Sequence, residues 1–251
     1  MTGIIKVKKR TAANDVRRQL LRKMKAGYFK NNQLPSEAGV ADMFGVSRIT
    51  VRDALAILEN QKYISRAQGK ETRINTGVCD VKNRVSEGLL FTEIIKSYGL
   101  KPSIRNCVAE KHRMDDETRK LLNSRSRNMY SVEKTFLGDG KPIIFSINVF
   151  SEEYIDDRIL DYPKEDMIIF KWIVEEFDFP AIAYDKIVLE PIVADEFVSE
   201  RLEIPVGTPM LKLVSVAMDY NEKPLLVNYE YYNPEYVTFQ EIRAVDYQME
   251  D

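Results

Sequence analysis

Two arginines four residues apart, Arg48 and Arg52, stand in the first turns of a segment, VSRITVRDALAILEN, whose apolar residues recur at helical spacing. The amino end of a helix carries partial positive charge, and cations one turn apart repel, so both residues run against the local electrostatics. An external polyanion resolves that conflict, and binding one is the chemistry the pair points to. Other reactive combinations are scarce. The one histidine, His112, and the two cysteines, Cys79 and Cys107, form no zinc cluster and no Cys/His or Ser/His pair at recognisable spacing. Both thiols read as small buried or half-buried side chains. No metal, no cofactor and no catalytic centre are expected.

The charge distribution agrees with a polyanion partner. Net charge is only -2 over 251 residues, yet residues 1 to 75 hold 16 Lys+Arg against 6 Asp+Glu, and the remainder holds 21 against 33. A basic first third joined to an acidic remainder fits a nucleic-acid-binding module attached to something that needs no polyanion. With 44% hydrophobic and 30% charged residues the composition is that of a globular chain. No apolar stretch approaches membrane length, and the basic start MTGIIKVKKR is not followed by a signal-peptide core. A cytoplasmic protein without membrane attachment is expected.

The elements that must position the arginines can be read off the same third. Val16, Leu20, Leu21 and Met24 make one stripe of a helix that Gly27 stops. Ser36 is a good N-cap for a short second helix through Val40, Met43 and Phe44, ended by Gly45. Ser47 caps the third, in which Val51, Ala54, Leu55 and Leu58 face inward while Arg48, Ile49, Thr50 and Arg52 point elsewhere. Two short helices joined by a Gly-containing turn predict a helix-turn-helix, and YISRAQGKETRI alternates like a hairpin around Gln68, Gly69 and Lys70, a wing.

The run LPSEAGVADMFGVSRITVRDALAILENQKYISRAQGKETRI resembles the DNA-binding domain of the GntR family of bacterial transcription regulators, over about Thr11 to Thr76. The resemblance implies contacts to a double-stranded DNA operator from Arg48, Thr50 and Arg52 and from Gln68, Gly69 and Lys70 in the wing, with the cap serines Ser36 and Ser47 in the same interface. Two positions depart from the family pattern. Ala38 stands where an arginine usually follows the LPSE glutamate, and Glu71 replaces the second glycine of the wing. Both bear on which operator is read.

Residues 77–88 lack a strong period and read as a linker between a first domain, 1–76, and a second, 89–251. Beyond it a helix near Thr92, with Ile94, Ile95 and Tyr98 on its buried side, is followed by helical stretches near 115–123, 166–177 and 194–202. These alternate with six strand-like runs near 104–110, 130–137, 143–150, 184–193, 210–219 and 225–232, which predicts an α+β fold with a mainly antiparallel sheet. The segment KPIIFSINVFSEEYI at 141–155 aligns without gaps on KPLLVNYEYYNPEYV at 223–237, a duplicated half. Odd positions, Ile143, Phe145, Ile147 and Val149, then Leu225, Val227, Tyr229 and Tyr231, form a packing face. Even positions mix in polar groups able to line a cavity.

This region, roughly Leu89 to Arg243, resembles the UTRA effector-binding domain of the HutC subfamily of GntR regulators, whose fold is similar to that of chorismate lyase. The resemblance rests on FTEIIKSYGLKP, EKTFLGDGKPIIFS and NYEYYNPEYVTF. It implies that the amino end of the FTE helix, at Phe91 and Thr92, receives an anionic group of the effector. Relatives that sense sugar phosphates add basic residues two apart on the next strand and carboxylates shortly after the prolines. The matching positions here are Lys134, Phe136, Ser146 and Leu226, so most of that set is missing. From the residues themselves, Lys134 is able to meet an anion, and Ser146, Asn148, Glu190, Glu230 and Tyr232 to bond a polar ligand. Glu190, inside IVLEPIV, needs a partner, ligand or neighbouring cation. Tyr229 and Tyr231 read as core or dimer-interface aromatics.

The expectation is a repressor that binds an inverted repeat as a homodimer and is controlled by a small anionic metabolite. A lyase-like enzyme, a sugar-phosphate-responsive regulator and a non-specific architectural DNA binder are the competing readings.

Overall fold

Ala13, Val16, Leu20 and Met24 recur at three- and four-residue intervals, and in the computed structural model they form the buried stripe of helix α1, Lys9–Lys25. The structure describes residues 9–67, 69–162 and 168–243. By contacts these fall into two units, one of residues up to Glu87 together with those from Phe239, the other Gly88–Thr238.

In the first unit α3, Arg48–Asn60, packs on both α1 and α2, Glu37–Phe44. The Ser36 hydroxyl accepts from Gly39 N at 3.2 Å and the Ser47 hydroxyl from Thr50 N at 3.2 Å, so both predicted caps close their helices. Gly45, at φ 63°, turns the chain between them in a conformation that favours glycine. Val51, Ala54, Leu55 and Leu58 are buried against Leu20, Met24 and Val40. Strands β1, Ile64–Ser65, and β2, Arg73–Ile74, pair antiparallel as the base of the wing.

The stretch 77–88 is not an open linker. Helix α4, Thr76–Cys79, buries Cys79 in the same apolar cluster as Leu20 and Leu58, and a 3-10 turn follows at Val85–Glu87. Its missing period reflects length: one turn of helix is too short to show one. The chain's last described residues also belong here and not with the second domain. Lys82 N donates to Gln240 Oε1 at 3.0 Å, and the buried Arg84 guanidinium binds Glu241 at 3.0 Å, Glu87 at 3.4 Å and the Gln61 carbonyl, just past the end of α3, at 2.8 Å.

The second unit opens with α5, Phe91–Ser97, followed by β3 (Pro102–Arg113), α6 (Asp116–Leu121), β4 (Asn128–Gly138) and β5 (Lys141–Ser151). A 3-10 turn at Asp157–Asp161 and α7 (Ile169–Glu176) lead to β6 (Tyr184–Val193), α8 (Glu196–Leu202), β7 (Pro209–Met218) and β8 (Pro224–Tyr232). The strands form one antiparallel sheet in the order β3-β4-β5-β8-β7-β6. That order is the duplication made spatial. Strand–helix–strand–strand occurs twice, and the repeated strands β5 and β8 meet at the centre, Asn148 opposite Asn228 and Ser146 opposite Glu230.

Both faces are covered. Tyr130, Val132, Phe150 and Leu226 pack under Ile159 of the 3-10 turn, the flanking Ile155 and Tyr162, and Ile169 and Ile173 of α7. On the other face Val149, Val214 and Val227 pack with Met114 and Leu122 near α6, and Phe145 with Val198 and Leu202 of α8. The even positions are therefore not a purely cavity-lining set, since apolar members at either end make core and leave a polar strip between them.

Candidate functional site

The caps decide what the amino end of α3 presents. With Val51 and Leu55 fixed inward, Arg48, Ile49 and Arg52 are exposed, and Thr50, half-buried, shares a hydrogen bond of 2.9 Å with Ser47. Arg52 has an internal partner that sequence reasoning missed. Its Nη2 lies 3.0 Å from Glu37 Oε2, and that hydrogen bond holds the Glu37 carboxyl below its ordinary range. Arg66, at the start of the wing, binds Glu59 at 2.6 Å and lies 4.0 Å from Glu37. Glu37 and Arg52 are fifteen residues apart in sequence and on different helices, so no local period announces their pairing. In the wing, Gly69 takes φ 73°, Lys70 N donates to the Ala67 carbonyl at 3.0 Å, and both residues are exposed; Gln68 lies outside the described residues. The result is a surface of Arg48, Arg52 and Lys70 with Ser36 and Ser47 at the helix ends beside it, able to bind phosphate oxygens and base edges.

In the second unit cross-strand register brings four predicted residues together. Lys134, Ser146 and Glu230 stand directly opposite one another on β4, β5 and β8, and Asn148 pairs with Asn228 in the next row on the same face. Tyr232, across Ile144 from Phe136, lies in the row beyond, and Phe91 of α5 meets both rings edge-on, at 4.8 Å and 6.4 Å. Thr92 follows it in the first turn of α5. Lys134, Ser146, Asn148, Asn228, Glu230 and Tyr232 are all buried, and Thr92 is half-buried. Lys134 Nζ donates to the Tyr162 hydroxyl and lies 4.3 Å from that ring's centre. Glu230 accepts from Asn228 Nδ2 and from the Tyr232 hydroxyl, yet burial outweighs these bonds and pushes its carboxyl up to about 7. Burial and the Glu230 carboxylate drive the Tyr232 phenol well above its usual range. Ser146 Oγ and Asn228 Oδ1 are buried without a hydrogen-bond partner among the described residues. A buried polar atom left unmet costs about 1–3 kcal/mol, so this strip has capacity for a polar ligand.

Glu190 does not join them. It stands opposite Lys212, which pairs with Tyr231 and so with Phe145, on the other face of the sheet. Lys212 Nζ donates to it at 3.0 Å, so its partner is a neighbouring cation. Side chains alternate between faces, and Glu190 and Glu230 fell on opposite ones because β7 sets the register between them. Clefts of about 440 and 490 Å³ open on the Glu190 face. In the smaller, Arg201 pairs with Glu133 at 3.1 Å and Arg105 with Glu203 at 2.7 Å; unmet buried atoms occur on both faces, Arg105 Nε and Ser131 Oγ lining these clefts and Ser146 Oγ and Asn228 Oδ1 in the strip opposite. Tyr162 and Asn228 were missed as site residues. Alternation in VNYEYY contained the signal for Asn228; nothing periodic marks Tyr162.

A basic winged helix-turn-helix followed by an antiparallel sheet with a buried polar strip defines a ligand-responsive DNA-binding regulator. Residues 12–74 match the bacterial regulatory proteins of the gntR family and residues 97–238 match the UTRA domain, and the chain belongs to that family, in its HutC subfamily. It is a transcription regulator and not an enzyme, binding DNA through the helix-turn-helix and an effector through the UTRA domain. The HTH-type transcriptional repressor NagR of Bacillus subtilis is 40% identical over 73 residues, 29% of each chain. A protein of Escherichia coli K12 named probable fructoselysine utilization operon transcriptional repressor is 24% identical over 220 residues, 85% of this chain and 86% of that one. Among solved structures, YydK from Bacillus subtilis has the same fold with a TM-score of 0.64 at 17% identity, covering 93% of this chain and 99% of its own. PhnF from Mycobacterium smegmatis follows with 0.57 at 19%, covering 92% and 100%. No helix among the described residues is long and apolar enough to cross a membrane.

Proposed function

We propose that this regulator is a cytoplasmic repressor that binds an inverted-repeat operator as a homodimer and is controlled by a small anionic metabolite seated on the Lys134–Ser146–Glu230 strip. The observation that carries the reading is that one chain joins exposed Arg48 and Arg52 at the capped end of α3 to a buried strip with unmet polar atoms. Repression is supported by the names of the two relatives above. Dimerisation is supported by the fact that one helix-turn-helix reads only a half-site; the half-buried Tyr229 and Tyr231, lining a cleft on the Glu190 face, are the proposed contact. Sedimentation at micromolar concentration tests it, and a monomer sinks it.

Lys134 supplies the strip with one ammonium, and the side chain two residues on is Phe136, so a singly charged ligand suits it better than a phosphate dianion. Helix α5 is the proposed transmitter. It begins four residues after Glu87, and the Tyr98 hydroxyl at its far end donates to Thr238 O at 3.2 Å and accepts from Thr238 N at 3.1 Å, just where the chain returns to the first unit. Both covalent connections to the DNA-binding unit thus start beside α5. A coupling of about 1–3 kcal/mol changes operator affinity about five- to 150-fold. Small carboxylates, sugar acids and sugar phosphates are screened for altered binding of a labelled operator duplex. The hit is then titrated calorimetrically into free and operator-saturated protein. Equal affinities rule out this coupling.

A further inference from the structure

Ile49 is 69% exposed, more than any other large apolar side chain among the described residues. A single exposed aliphatic group needs no explanation by itself. Its setting is what matters. It is the second residue of α3, next to exposed Arg48 and one turn before exposed Arg52, on a helix whose other apolar residues Val51, Ala54, Leu55 and Leu58 are buried. The Ser47 cap and that inward stripe fix the helix's rotation, so Ile49 cannot turn into the core without exposing them. Two guanidinium groups flanking an apolar side chain make a poor docking site for an apolar protein surface, and their charge matches a nucleic-acid backbone.

In the major groove the apolar group on a base edge is the 5-methyl of thymine. A β-branched side chain is stiff at χ1 and holds its own methyl groups in one place. We infer that Ile49 packs against the 5-methyl group of one thymine in each operator half-site and is a specificity-determining residue for thymine at that position, while Arg48 and Arg52 supply the polar contacts. The inference rests on α3 entering the major groove.

The test uses the full-length protein and a tight-binding duplex selected from a random-sequence pool. Each thymine of the half-site is replaced in turn by deoxyuridine, in both half-sites at once, which removes the methyl group and leaves base pairing intact. One position is expected to lose roughly tenfold in affinity, the effect of two methyl contacts. The Ile49→Ala variant is expected to bind the thymine and uracil duplexes equally, and Arg52→Ala to keep the wild-type ratio. Insensitivity of every thymine to demethylation overturns the inference, and so does an undiminished ratio in Ile49→Ala. If Arg48→Ala and Arg52→Ala also bind the selected duplex and random DNA as tightly as the wild type does, the placement of α3 in the groove fails along with it.

Discussion

Arg52 reaches across the turn of the helix-turn-helix to Glu37, with Nη2 3.0 Å from Oε2 and Nε 3.4 Å from Oε1. The repulsion between Arg48 and Arg52 is thus partly relieved within the protein, and the guanidinium is aimed before DNA arrives. Arg52 stays 66% exposed, so the pair adds little to stability. Arg52→Ala is expected to lower affinity for the specific duplex about five- to 150-fold if Arg52 reads a base, with a smaller loss on random DNA and an unchanged melting temperature. Gel shifts on both duplexes decide, and an equal loss on both makes Arg52 a phosphate contact.

Operator affinity should fall steeply with salt, because the basic first unit displaces counterions from DNA. Lys70, exposed on the wing, is expected to act on phosphate. Lys70→Ala should weaken binding to all sequences alike and reduce the slope of log affinity against log salt by about one. Anisotropy titrations at several salt concentrations measure it; a change in sequence preference instead would make Lys70 a base reader.

Glu230 links the strip to pH. Its folded carboxyl sits at about 7, above the ordinary 4.5, so between those values the folded state holds a proton that the unfolded state has lost. Its contribution to stability is therefore fully present below about 4.5 and declines as pH rises through about 7. Glu230→Gln, which stays neutral, should melt higher than wild type at pH 8 and show less decline between pH 5 and pH 8. Thermal scans followed by near-ultraviolet circular dichroism test this, and parallel pH profiles for the two proteins would refute it.

Lys134→Met should weaken effector binding about ten- to 100-fold, the loss of a charge-assisted hydrogen bond, and leave operator affinity unchanged. Lys134 is buried against Tyr162, so melting of the variant is measured alongside. Loss of operator binding in a folded variant would show that Lys134 supports the fold and does not meet the ligand.

Glu241 fastens the end of the described chain to Arg84. Burial would raise its carboxyl, but hydrogen bonds from Ile242 N, the Ser86 side chain and backbone, and Arg84 outweigh that and bring it down to about 2. Its stabilising effect is full above about 4.5 and is lost as pH falls toward 2. Because the side chain is 43% exposed, Glu241→Gln should destabilise the first unit by only about 1 kcal/mol at neutral pH. Part of its acid sensitivity should go too. Hydrogen exchange at Gln61 to Tyr63, where Arg84 meets the end of α3, reports it; no change there would count against the role given to Arg84.

Local rules made the DNA-reading unit legible almost residue by residue. Ser36, Gly45, Ser47 and the Val51–Leu58 stripe each act within a turn or two, and the structure has them doing what their types imply. Strand-like runs likewise marked all six strands of the sheet, and the gapless repeat of KPIIFSINVF in KPLLVNYEYY announced a duplicated half. Pairing was another matter. Which strands neighbour each other is set by contacts far apart in sequence, and a shift of one residue in register exchanges the faces of a strand. Only the folded sheet could place Glu230 beside Ser146 and Lys134 and send Glu190 to the opposite face with Lys212. The same reason hid Glu37 from Arg52, Tyr162 from Lys134 and Glu241 from Arg84. The sequence by itself determined the kinds of elements, their caps and their charge, because these depend on neighbours along the chain. Tertiary structure alone decided which charges meet, because burial and partnership depend on neighbours in space.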